Sequence, residues 1–93
     1  MTPITSIIEK FRDDPRIYPT HISLFFGLYS LYIQNEMRNP IFIRRIEVME
    51  LAKISSSFTY HKNMNELDQY GYIKYCPVKN KTEGSHLYLL MEE

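Results

Sequence analysis

The chain has 93 residues, 44% of them apolar, with 11 basic and 11 acidic residues that leave no net charge. That length suits one small domain and excludes two, and the charge balance counts against a general nucleic-acid binder, which carries a basic excess. The lone Cys76 excludes an internal disulfide, and the start MTPITSIIEKFRDD lacks the basic opening, long apolar stretch and small-residue cleavage site of a signal peptide, so a soluble cytoplasmic protein is expected.

PITSIIEKFRDD reads as a short helix with Ile4, Ile7, Ile8 and Phe11 on one face. DDPRIYPT ends it with two prolines, which sets off residues 1–17 as an N-terminal helical arm from a body over 18–90. Thr20 is placed to cap a helix from about His21 to Met37. Ile22, Phe25, Phe26, Tyr29 and Ile33 share one face of it, Leu24, Leu28 and Leu31 a second, and Ser23, Gly27, Ser30 and Gln34 form a polar strip. A helix this apolar around its circumference needs burial on more than one side. Its core, ISLFFGLYSLYI, is too short and too interrupted to cross a bilayer.

NEMRNP reads as a loop and IFI, from Ile41 to Ile43, as a short β segment. RRIEVMELAKI is a helix with Val48, Leu51 and Ala52 inward, and Ile54 begins a turn. One of Ser55, Ser56 or Ser57 caps the next helix, which runs to Tyr70 with Tyr60, Met64 and Leu67 inward and Tyr70 next in that series. Gly71 suits the left-handed residue that stops a helix. YIKYCPV and HLYLL are two strands of a hairpin, joined by the charged, turn-rich tip KNKTEGS.

The expected fold is therefore mainly α with a small β-hairpin, an α+β class. Its order of helix, short strand, helix, turn, helix and hairpin is the plan of a winged helix-turn-helix domain. In such a domain the second helix of the pair, here about residues 56–70, enters the major groove of double-stranded DNA. Ser55, Ser56, Ser57 and Thr59 at its start can approach phosphate, or serve only as caps. His61, Lys62 and Asn63 are placed on its outward side, where the plain alternative is a solvated surface. Lys79 and Lys81 on the wing, about residues 77–85, and Arg44 and Arg45 on the preceding helix are candidates for phosphate. From Arg44 to His86 basic residues outnumber acidic ones, seven to five. Tyr72, Tyr75 and Tyr88 could stack on unpaired bases, but alternate strand positions more often pack a core.

The stretches VMELAKIS, TYHKNMNELDQYGYIKY and GSHLYL resemble winged-helix DNA-binding proteins of bacterial regulators and of plasmid or phage replication initiators. Together with HISLFFGLYSLYIQNEMRNPI they are similar, more narrowly, to small winged-helix proteins encoded near mobile elements in Bacteroidetes. The resemblance covers roughly Tyr18 to Leu90. It implies sequence-specific duplex binding by a transcriptional regulator or an accessory factor of a mobile element. Arg44 departs from the pattern, since a serine, threonine or aspartate cap is usual there.

Catalysis is not expected. His21, His61 and His86 are far apart in sequence, no H-E-x-x-H, C-x-x-C or glycine-rich phosphate loop occurs, and no cofactor, metal or small-molecule ligand is implied. The rival function is a protein-interaction module on the same fold without DNA binding, favoured by the neutral net charge. A homodimer is expected through the 21–37 helix with help from the N-terminal segment, because Leu24, Leu28 and Leu31 would otherwise lack cover; the alternative is an N-terminal helix folded back over the leucines within one chain.

Overall fold

A computed structural model describes residues 3–77 and 84–90. Among them are four helices, α1 (Pro3–Asp13), α2 (Pro19–Gln34), α3 (Arg45–Ala52) and α4 (Ser57–Gln69), and three strands, β1 (Ile41–Ile43), β2 (Ile73–Cys76) and β3 (Ser85–Leu89). The strands form one antiparallel sheet of order β1-β3-β2, so the class is α+β. Ile41 pairs with Leu87 across β1 and β3, and Ile73 with Leu89 across β2 and β3. These four residues and Ile43 are buried on the inner face of the sheet. Phe42, Lys74, His86 and Tyr88 alternate with them and point outward.

The strands end on specific contacts. The Asn39 side chain stands in for a strand partner: its Nδ2 donates to the Leu89 carbonyl and its Oδ1 accepts from the Leu89 N–H, both at 2.9 Å. Gly84 enters β3 at a φ of +79°, and a Cβ there would stand 2.5 Å from the Ile43 carbonyl oxygen. Only glycine fits both the left-handed backbone and the close approach.

The long helix is inverted relative to its expected orientation except at Phe25, buried as expected, and Tyr29, half-buried against the core. Leu24 and Leu28 are fully buried and Leu31 nearly so, whereas Phe26 and Ile33 are each about half exposed and Ile22 is also exposed. The strip of small residues explains the inversion. Gly27 is buried where α3 crosses, and a Cβ on it would meet the Ala52 nitrogen and Leu51 Cβ at 3.4 Å. Ser23 Oγ donates to the Ala52 carbonyl at the end of α3. The strip is thus the α3 docking face, and the leucines beside it become the centre of the core. Ile22, Phe26 and Ile33 lie on the opposite side. The leucine face is not available for dimer contacts.

The N-terminal arm docks within the chain. Ile7 is buried, and the Phe11 ring meets Phe25 at 5.2 Å and Tyr72 at 4.8 Å, both edge-on. Ile8 remains half exposed, and the Ile4 side chain lies outside the described residues. At the end of the arm, Asp14 accepts from the Arg16 N–H and guanidinium and from the Tyr72 hydroxyl at 2.9 Å. Those donors hold the Asp14 carboxyl well below the usual carboxylate range, while burial and the Asp14 carboxylate push the Tyr72 phenol up to about 12.

The start of α2 also differs from the sequence reading. The cap position is Tyr18, and Thr20 sits in the first turn, where its hydroxyl donates to Asn63 Oδ1 at 2.8 Å. His21 is 1% exposed. Its Nδ1 accepts from the Tyr18 N–H at 2.9 Å, which leaves the ring proton on Nε2 to donate to Glu66 Oε1 at 2.8 Å. Two side chains of the first turn of α2 therefore hold the middle of α4. No helix among the described residues is long and apolar enough to cross a membrane.

Candidate functional site

α4 begins at a tight corner. Lys53, at a φ of +61°, ends α3 in the left-handed conformation, and three residues later Ser56 starts α4. Ser56 is the cap among the three serines: its Oγ accepts from the Thr59 N–H at 3.2 Å. This satisfies one of the helix-start donors that have no partner within the helix. Ser57 is occupied differently. Its hydroxyl accepts from Arg45 Nη1 at 2.5 Å, so the first residue of α3 clasps the first residue of α4. Ser55 is exposed on the groove that Ile46, Met49, Glu50, Lys53 and Ile54 line.

The inner face of α4 carries Tyr60, Asn63, Met64 and Leu67. Burial raises the Tyr60 phenol far above its ordinary ionisation, so it acts as an uncharged core ring. Asn63 belongs to this inner face and not to the outward one. It is 4% exposed, accepts from Thr20 and donates from Nδ2 to the Thr59 carbonyl at 2.7 Å. The i, i+3, i+4, i+7 series from Tyr60 includes position 63, so its amide is spent on positioning the helix. Thr59, half-buried, has its N–H bound by the cap and its carbonyl by Asn63.

The outward face holds Ser57, Phe58, His61, Lys62, Asn65 and Gln69, all exposed. No carboxylate lies among them. His61, exposed, packs its ring edge-on against Tyr60 at 5.0 Å. Phe58 is 77% exposed, the most open large apolar side chain among the described residues, and Ile46 on α3 is 64% exposed. Sequence reasoning passed over Phe58. The signal was its position two residues before Tyr60, which puts it across the helix from the core.

The arginine pair divides. Arg45 turns to Ser57, while Arg44 turns to the sheet, with its guanidinium carbon 5.8 Å from the Phe42 ring centroid. Arg44 is the cap position of α3 and its side chain makes no capping bond. Arg45, Ser55, Ser56, Ser57, His61 and Lys62 are thus gathered around one exposed helix start, Thr59 is partly enclosed there, and Asn63 and Arg44 point away from it. Lys79 and Lys81 lie outside the described residues. Val48 and Ala52 face inward as expected, but Leu51, although its Cβ borders Gly27, is 43% exposed. No group of three or more metal-ligating side chains occurs among the described residues. No protein-family model, curated protein or solved structure matches the chain.

Proposed function

We propose that the chain is a winged helix-turn-helix protein that binds double-stranded DNA in a sequence-specific manner, as a transcriptional regulator or an accessory factor of a mobile element. The arrangement supports this reading: α3 and α4 form the helix pair, and β1 joins the β2–β3 hairpin at β3. The observation that carries it is the outward face of α4, exposed and free of carboxylates, with Lys62 and Asn65 among hydroxyls and the bare Phe58 ring. Lys62 would donate to the purine acceptors of the major groove, Asn65 would pair with adenine, and Phe58 would meet a thymine methyl group. Arg45 and the serines would hold phosphate, as would Lys79 and Lys81, which follow β2 in the chain.

Pairing of two copies belongs to the same proposal, transferred to the strip of Ile22, Phe26 and Ile33 with Ile8 beside it. Two copies would set two α4 helices on half-sites about one DNA turn apart. The rival reading, a protein-interaction module, draws on Phe58 and Ile46 as exposed anchors.

Selection from a random duplex library tests the reading. Enrichment of a defined site is expected, and Lys62→Ala should then weaken that site by about 1–3 kcal/mol. A library that yields no enriched sequence removes duplex recognition and leaves the interaction module.

A further inference from the structure

The outer face of the sheet carries its own chemistry. Its residues form two cross-strand rows. Phe42 on β1 stands opposite His86 on β3, which stands opposite Cys76 on β2. The next row pairs Tyr88 with Lys74. Phe42 is 47% and Tyr88 37% exposed, and His86 is open as well. The Phe42 and His86 rings meet edge-on at 5.5 Å, and Phe42 keeps about half of its surface open.

Each of the two apolar rings has a cation beside it. Arg44 lies 5.8 Å from the Phe42 centroid, and Lys74 Nζ lies 6.0 Å from that of Tyr88. None of the strand sequences IFI, IKYC and SHLYL contains a carboxylate. Cross-strand pairing alone accounts for rings that cover one another. It does not account for two rings left open to water with positive charge at both and no acid in the strands.

Rings of this kind offer flat faces, and a cation on either side of the pair suits a polyanion. We propose that the outer sheet face is a binding platform for single-stranded nucleic acid, on which unpaired bases stack on Phe42 and Tyr88 while Arg44 and Lys74 hold the phosphates. Successive residues on one strand face are about 7 Å apart and neighbouring strands about 4.8 Å apart. Phe42 and Tyr88 are therefore diagonal neighbours, suited to adjacent bases that are spread and not stacked on each other. Aromatic platforms of this type tolerate many sequences, because every base has a π face. The site is independent of α4, and neither proposal requires the other.

The test uses fluorescence anisotropy of a labelled short oligothymidylate with the whole chain at low salt. Wild type should bind it more tightly than an abasic phosphodiester oligomer of the same length. Phe42→Leu and Tyr88→Leu keep apolar bulk on the strands and remove the π face. Each should weaken oligothymidylate about five- to a hundredfold and leave the abasic oligomer unchanged. Lys62→Ala should leave oligothymidylate binding unchanged, which separates this site from the duplex reading. Equal affinity of wild type for the two oligomers, or leucine variants that bind as wild type does, overturns the platform. Photocrosslinking of wild type to an oligonucleotide with 5-iodouracil needs no variant to fold. Crosslinks at Phe42, His86 or Tyr88 support the platform, and crosslinks confined to α4 overturn it.

Discussion

Leu28 and Ile33 are isomeric side chains on one helix, and truncation should cost far more at the first than at the second. Leu28 is fully buried and Ile33 is 52% exposed. Leu28→Ala removes three buried carbons, a transfer loss of about 2.4 kcal/mol at about 0.8 kcal/mol per methylene, and leaves a cavity in the core. The expected loss is about 3–4 kcal/mol, within the range of about 2–5 kcal/mol for such sites. Ile33→Ala removes carbons already half in water, opens no closed cavity and improves helix propensity, so its loss should stay near or below about 1 kcal/mol. For a domain of this size each kcal/mol moves the melting temperature by about 4–8 °C. Circular-dichroism melts should place the leucine variant at least about 12 °C below wild type and the isoleucine variant within about 8 °C. Equal losses, or a larger loss at Ile33, would refute the orientation of α2 and restore the leucines to the surface.

Three further outcomes follow from particular contacts. Ser56→Ala removes the α4 cap and should cost about 1 kcal/mol in urea unfolding, whereas Ser55→Ala, exposed beside it, should cost less than about 0.5 kcal/mol; equal effects would misplace the cap. Asp14 is ionised more easily in the folded chain than in the unfolded one, so its contribution is present above about pH 4 and is lost as the pH falls below that value. Asp14→Asn should thus be less stable than wild type at pH 7, with the gap closing under acid; a gap that is constant with pH would contradict the Arg16 and Tyr72 contacts. Phe26→Glu should convert a dimer to a monomer in sedimentation at micromolar concentration while the far-UV spectrum is kept, and a wild type that sediments only as a monomer removes the pairing proposal.

The segments with strong punctuation were legible in the sequence. The β-branched and aromatic run IFI after the NEMRNP loop pointed to β1, the serine cluster to the start of α4, and Gly71, at a φ of +89°, to its stop. The orientation of α2 was not legible from apolar residues alone, since they surround the helix; which side is buried depends on where α3 docks. The clue lay in the small residues, because Ser23, Gly27 and Ser30 follow the i, i+4, i+7 spacing of a close helix contact. Within the candidate site, Lys62 and Asn63 are neighbours in sequence but stand about 100° apart around the helix, which is enough to send one to water and the other to Thr20. The partnership of His21 with Glu66 spans 45 residues and leaves no local trace.

The two bridges from the first turn of α2 to α4, Thr20 to Asn63 and His21 to Glu66, have a thermodynamic consequence for whatever α4 meets. A surface held from behind at two successive points arrives preorganised, and little backbone freedom remains to be lost on docking. Adjustment then falls on the partner. A duplex would have to bend or widen its groove to match, and sequences that deform easily would be favoured even at positions that no side chain touches.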